Sequence, residues 1–306
     1  MELLRPRWQS FEACAPFPAQ DAKHTMQEYG VCWMADVLDL ALLERLAAEA
    51  RLRFDELLQA VARRHAAETA GLPEPLHRLS RLPVQTAEVV ERDGGRFDCR
   101  HGLDELRSLL DSPSKLVESL KRILGPDLAI VSHGQVVALS VNGREAHACA
   151  DGGDGAQLWH ADGPHLFEDQ DLPAHAVTIF FPIAEVTAAA GPTEFALGTQ
   201  KHGHALPEKL AAREGEAPEY VRAVAPAGSA ILFDYRTWHR GLPNMQQHES
   251  RHMLYLVVAR PWWRDDRNHL HTTSIFAEAE EGDGEEEDDD VKDESAAPRG
   301  RKRDRE

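Results

Sequence analysis

From residue 128 onward the chain is a succession of short β-prone runs cut apart by glycine and proline, and this limits it to folds made of sheets. The runs are 129–131, 136–141, 175–181, 220–224, 229–235 and 252–258. Between them stand Gly152-Gly153, Gly191-Pro192, Gly198, Pro226, Gly228 and Gly241, residues that break a strand or turn the chain. Ahead of this β-rich part lies a helical one. Leu40, Leu43, Leu46, Ala47 and Ala50, then Leu57, Leu58 and Val61, recur at helical spacing within 38–65, which predicts one long helix or two consecutive ones. A second helical region is predicted over 104–124, broken at Ser112-Pro113. Helices followed by many short strands make the expected class mainly β with flanking helices, a β-sandwich or closed jelly roll buttressed on one side.

Three segments are expected: an irregular lead-in over 1–24 with Pro6, Pro16 and Pro18, a folded domain over 25–276, and a tail over 277–306. The tail carries 14 acidic and 6 basic residues and lacks the apolar side chains that would offset ordering entropy, so it is expected to be disordered. Its basic end, Arg299 to Arg303, offers a partner-binding patch or a nuclear-import signal; a plain solvated terminus is the simpler reading. The whole chain has a net charge of −18, which leaves −10 on the body. Phosphate repulsion then argues against nucleic acid as a partner of the folded domain. No apolar stretch approaches the roughly 20 residues of a membrane span, and residues 1–9 hold no apolar signal region, so a cytoplasmic protein is expected. Cys14, Cys32, Cys99 and Cys149 show no metal-ligand spacing and are expected as free thiols.

The chemistry concentrates in Leu158-Trp159-His160-Ala161-Asp162-Gly163. On a strand, alternate residues face one way, so His160 and Asp162 would aim an imidazole and a carboxylate at one point. A third ligand is offered by the run 229–239, read as a strand ending in Trp238-His239, 77 residues after Asp162. Two histidines and one carboxylate on one face leave three positions of an octahedral ion open, the arrangement of non-haem Fe(II) oxygenases. His165, His202, His204, His248 and His252 lie nearby, but none has the strand-end setting expected of His239. Arg251 opens the run 251–258, and by parity shares a face with Met253 and Tyr255. A guanidinium on an apolar barrel wall suits bidentate bonding to the distal carboxylate of a keto acid. Gln157, just before the first ligand, is a candidate cosubstrate contact, and Ile179 with Phe181 is expected to be core.

These motifs together resemble the phytanoyl-CoA dioxygenase-like family of Fe(II)/2-oxoglutarate-dependent oxygenases. In the family's order come Glu28-Tyr29-Gly30-Val31, then Trp159-His160-Ala161-Asp162-Gly163-Pro164, the glycine turn beginning Gly191-Pro192-Thr193-Glu194, the run to His239-Arg240-Gly241, and Arg251. The resemblance covers residues 29–263. Leu197-Gly198-Thr199-Gln200 stands where the family commonly has Pro-Gly-Ser-His, and Arg251 follows His239 by 12 positions, a slightly long interval. The resemblance implies a double-stranded β-helix. It also implies Fe(II) held by His160, Asp162 and His239, with 2-oxoglutarate held by Arg251. The implied reaction consumes O2, hydroxylates a small organic or acyl substrate and releases succinate and CO2, with ascorbate supportive in assays. Three other readings compete: a catalytically silent jelly-roll binding protein, an interaction protein acting through its tail, and a cupin-like enzyme with another metal and no 2-oxoglutarate.

Overall fold

The structure is a computed structural model that describes residues 21–68, 70, 84–93, 95–100, 104–140, 155–167, 170–201, 207, 218–247, 249–268 and 270–277. Where the sequence predicts an irregular lead-in to residue 24, an α-helix has already begun (α1, Ala22–Tyr29). It stops because Gly30 takes a left-handed conformation (φ 75°) and turns its N–H back to the Met26 carbonyl at 3.0 Å. A Cβ at Gly30 would also collide with the Gln200 and Thr237 side chains, so glycine is required twice over. Strand β1 (Val31–Met34) follows, and then a single helix rather than two (α2, Leu40–Glu68). Its buried stripe, Leu46, Ala47, Ala50, Phe54, Leu57 and Val61, keeps helical spacing throughout.

The predicted break near Pro113 is present. A short helix (α3, Asp104–Arg107) and a 3-10 turn give way to α4 (Lys115–Leu124), which starts where the Ser114 side chain accepts the Val117 N–H at 3.2 Å. Between α2 and α3 lies a hairpin that the sequence reading did not foresee, β2 (Val89–Asp93) and β3 (Arg96–Cys99). The remaining strands are β4 (Ala129–Ala138), β5 (Ala176–Pro182), β6 (Thr193–Ala196), β7 (Tyr220–Arg222), β8 (Ala230–Asp234), β9 (His239–Gly241) and β10 (Arg251–Ala259). The two predicted runs at 129–131 and 136–141 are one strand, β4, ending at Ala138.

The strands form two sheets. The large one has the order β1-β8-β5-β10-β4-β3-β2 and the small one β7-β6-β9, a jelly roll of antiparallel strands. Strand β10 runs through the middle of the large sheet, paired with β4 on one side and β5 on the other. Both of its faces are buried. Met253, Tyr255 and Val257 look into the space between the sheets, where they pack with Phe180, Phe195 and Phe233. Leu254, Leu256 and Val258 look the other way, onto a core shared with α1, α2 and α4. Ile179 and Phe181 of β5 lie in this helix-side core, as expected. Each fully buried side chain of this size contributes about 1.5–3 kcal/mol, so the helical layer fixes the large sheet firmly.

Residues 278–306, nearly all of the expected tail, lie outside the described residues, as do Cys14 and Cys149. Cys32 and Cys99 are buried free thiols, and burial pushes the Cys32 thiol up to about 12. Among the described residues no helix is long and apolar enough to cross a membrane.

Candidate metal centre

His160 and Asp162 do not sit on a regular strand. His160 makes an isolated bridge to His239, in which each N–H donates to the other's carbonyl at 3.0 and 2.8 Å, and Asp162 follows on a bend. The sequence places His239 at the end of a strand. In fact β8 ends at Asp234, a turn carries the chain across to the small sheet, and His239 begins β9. The two histidines are thus cross-strand partners with ring centroids 4.4 Å apart. Their neighbours Trp159 and Arg240, of opposite parity, stack guanidinium on indole at 4.7 Å, and Glu194 accepts from Arg240 at 2.9 Å. This outer clamp sets the register of the pair from behind.

Each of the three side chains has one polar atom committed and one left over. His160 Nδ1 lies 2.9 Å from the Leu158 carbonyl and His239 Nδ1 lies 3.0 Å from the Thr237 carbonyl. A carbonyl only accepts, so each Nδ1 carries the proton and each Nε2 presents its lone pair. Thr178 Oγ1 donates to Asp162 Oδ2 at 2.9 Å, which leaves Oδ1, 3.6 Å from His239 Nε2. One ligand atom from each of His160, Asp162 and His239 lies within 4.8 Å of the others. The 3.6 Å contact is not an ion pair at neutral pH, because burial and then the His160 ring lower the His239 imidazole to about 4 against the pull of Asp162. A neutral imidazole is the form that binds metal. Thr237, whose carbonyl orients His239, bonds through its own hydroxyl to the Gly30 carbonyl at 3.0 Å, so the N-terminal turn supports the site.

The three line one wall of a cavity of about 320 Å³ between the sheets. Phe180, Met253 and Val257 supply apolar lining, and Arg251 lies on the same cavity. Arg251 is 8% exposed. One of its N–H groups donates to the Gly191 carbonyl, its Nε is buried without a partner, and among the described residues no carboxylate pairs with it. Burial, with Arg96 nearby, lowers its guanidinium to about 9, still a cation at neutral pH. A buried cation lacking a counter-charge is costly, and an incoming carboxylate would relieve it. The next two arginines along the chain do not line the cavity: Arg260 donates to the Ala174 carbonyl and Arg264 to those of Pro261 and Trp263.

Gln157 also lines the cavity, but its side-chain Oε1 accepts the Gly241 N–H at 3.0 Å while its main-chain N–H donates to the Gly241 carbonyl at 2.9 Å. Only its amide nitrogen is left to meet a ligand. Arg96 buttresses the same point, donating to the carbonyls of Gly155, Gly241 and Leu242. His252 faces away, bonded to Gln135 and edge-on to Phe54, and His165 is buried but outside the triad. His202, His204 and His248 lie outside the described residues. The sequence reading missed Thr178, Arg96, Tyr235 and Asn268. Thr178 was within reach, since the parity that puts Ile179 and Phe181 in the core turns residue 178 to the cavity.

A jelly roll in which two histidines and one carboxylate converge, beside a buried arginine with no carboxylate partner among the described residues, has the open donor set seen in non-haem oxygenases. The chain matches the family model described as phytanoyl-CoA dioxygenase (PhyH) over residues 26–253 and belongs to that family. It is an Fe(II)/2-oxoglutarate-dependent oxygenase by that membership. Among solved structures it is similar to HygX from Streptomyces hygroscopicus, determined with nickel, 2-oxoglutarate and hygromycin B bound, at 9% identity and a TM-score of 0.52 over 81% of this chain and 90% of that one. It is also similar to the non-heme alpha ketoglutarate dependent epimerase SnoN from nogalamycin biosynthesis, at 16% identity and a TM-score of 0.51 over 84% and 93% of the two chains. At these identities the likeness shows the shared fold.

Proposed function

We propose that His160 Nε2, Asp162 Oδ1 and His239 Nε2 hold Fe(II), that Arg251 holds the distal carboxylate of 2-oxoglutarate, and that the chain hydroxylates a small organic or acyl substrate. The observation that carries this reading is the division of labour at the triad: Leu158, Thr237 and Thr178 each take one polar atom of a ligand and leave the other aimed at a shared point. The donor set fits iron, because two imidazoles and one carboxylate leave coordination positions for a bidentate keto acid and for O2. Bound there with 2-oxoglutarate, Fe(II) supplies the oxidising chemistry that turns substrate, O2 and 2-oxoglutarate into hydroxylated product, succinate and CO2.

The protein's own part is positioning. Arg251 fixes the far end of the keto acid by paired charge-assisted hydrogen bonds from its planar guanidinium. The apolar wall of Phe180, Met253 and Val257 keeps water from the reacting end. Gln157 can reach the cosubstrate only through its amide nitrogen and otherwise holds Gly241 in place. The test is anaerobic titration of the purified chain with Fe(II) and then 2-oxoglutarate, followed by succinate release in air with ascorbate as a supporting reductant. One equivalent of Fe(II), keto-acid binding that needs the metal, and succinate formation even without added substrate are expected. A chain that binds Fe(II) and 2-oxoglutarate yet forms no succinate with any of a metabolite panel would mark a silent member of the family.

A further inference from the structure

Asp162 stands on a bend, with no strand of its own to hold its main chain. Support comes instead from the segment that follows β10. The Asn268 side-chain nitrogen lies 2.8 Å from the Asp162 carbonyl, 3.0 Å from the Tyr235 hydroxyl and 3.1 Å from Asp265 Oδ2. Tyr235 donates its hydroxyl to that same Asp265 oxygen at 2.5 Å. Asp265 Oδ1 in turn accepts the N–H groups of Arg267 and Asn268, at 3.0 and 3.1 Å, which folds the segment into a tight loop. Burial alone would raise Asp265, but the bonds from Tyr235, Arg267 and Asn268 hold its carboxyl below the usual range, so it is a strong acceptor at neutral pH.

Tyr235 grips the other side of the bend. Its carbonyl accepts the Gly163 N–H at 2.9 Å, and its ring fills the space beside Gly163 so closely that a Cβ there would collide with it. Both Tyr235 and Asn268 line the cavity next to Asp162. The match to the family model ends at residue 253, so Asp265 and Asn268 lie outside it.

We propose that residues 265–268 together with Tyr235 form a clasp which positions Asp162 for metal binding, with Asn268 and Tyr235 as its positioning residues. Thr178 sets the carboxylate and the clasp sets the main chain behind it. The inference depends on the metal-centre reading above. Its effect is on affinity rather than on the fold, because the clasp touches one bend at the cavity rim while the helix-side core holds the large sheet.

The test is anaerobic Fe(II) titration of the full chain and of three variants. Asn268→Leu keeps the size and removes the donor. Tyr235→Phe keeps the ring against Gly163 and removes the hydroxyl. Ser274→Ala loosens the same terminal segment elsewhere, where Ser274 bonds Glu88 at 2.6 Å far from Asp162 in the chain. Asn268→Leu is expected to weaken Fe(II) binding about 10- to 100-fold, the range found for groups that orient metal ligands, and Tyr235→Phe by less. The double variant is expected to lose less than the product of the two, since both act on one loop. Ser274→Ala is expected to bind Fe(II) as the parent does, with an unfolding midpoint no higher than that of metal-free Asn268→Leu. Parental affinity in both clasp variants overturns the proposal, and so does an equal loss in Ser274→Ala. If Asn268→Leu does not fold, Tyr235→Phe decides alone. A parent chain that takes up no Fe(II) overturns the metal centre itself, an outcome distinct from intact parental binding with unaffected variants.

Discussion

Replacing Arg251 by methionine separates the binding role of this side chain from any structural one. In the folded chain the guanidinium is buried, has no carboxylate partner among the described residues, and is lowered to about 9 by burial and by Arg96. Its folded pKa is below its unfolded one, so from about pH 9 up to the ordinary arginine range the unfolded state holds the proton more tightly and stability rises with pH. At neutral pH the cation is therefore a cost to the empty fold, offset in part by the bond to the Gly191 carbonyl. Arg251→Met is expected to leave the melting temperature of the metal-free chain unchanged or slightly higher. Cosubstrate binding should behave in the opposite way. A pair of charge-assisted hydrogen bonds in a desolvated site contributes about 2–4 kcal/mol, so the dissociation constant of 2-oxoglutarate should rise roughly 30- to 1000-fold. The assay is a cycle with a second ligand, 2-oxopentanoate, which has a methyl group in place of the distal carboxylate. The parent should prefer 2-oxoglutarate by that same factor, and Arg251→Met should bind the two alike. A variant that still discriminates between them would refute the assignment of Arg251, and Arg96 would become the candidate.

Further outcomes follow from the same geometry. Thr178→Val should weaken Fe(II) about 10-fold by freeing Asp162 Oδ2 while Thr178→Ser retains affinity, as read by anaerobic titration. At about 100 times its dissociation constant, Fe(II) should stabilise the parent by about 2.7 kcal/mol in denaturant unfolding and should leave His239→Ala unmoved. Gly191→Ala should lower stability by about 1–3 kcal/mol, because Gly191 has φ 71° and a Cβ there would lie 2.5 Å from the Leu242 carbonyl oxygen; chemical denaturation checks it. His175 and His252 are each lowered to about 4 by burial first. Their unfolded forms take up protons near pH 6.5, so the fold should lose stability as pH falls from about 6.5 to 4, and His252→Phe should flatten part of that slope in unfolding measured against pH.

The parts of the fold that were legible are those whose evidence is local. The stripe on α2, the break at Pro113 and the runs that became β5, β8 and β10 all follow from periodicity or from a residue that forbids continuation. The β2–β3 hairpin was missed although the sequence puts Gly94-Gly95 between Val89-Val90 and Phe97, a recognisable hairpin signal in a stretch otherwise crowded with charge. The run 229–239 was read as one strand because a crossing from one sheet to the other leaves no mark on hydrophobic pattern. Tyr235 to Trp238 look like the end of a strand, yet they form the turn that delivers His239 to the small sheet.

By itself the sequence determined which residue types are available for chemistry and the faces on which apolar residues fall, since both depend on side-chain identity and on the fixed periods of helix and strand. His160, Asp162, His239 and Arg251 could be named on those grounds. How they meet was decided only in three dimensions. The bridge between the two histidines, the hold of Thr178 on the carboxylate and the support of Asp162 by Asn268 join residues up to about a hundred positions apart. Hydrogen bonds of that kind are set by sheet pairing and turn geometry, which no single stretch of chain encodes.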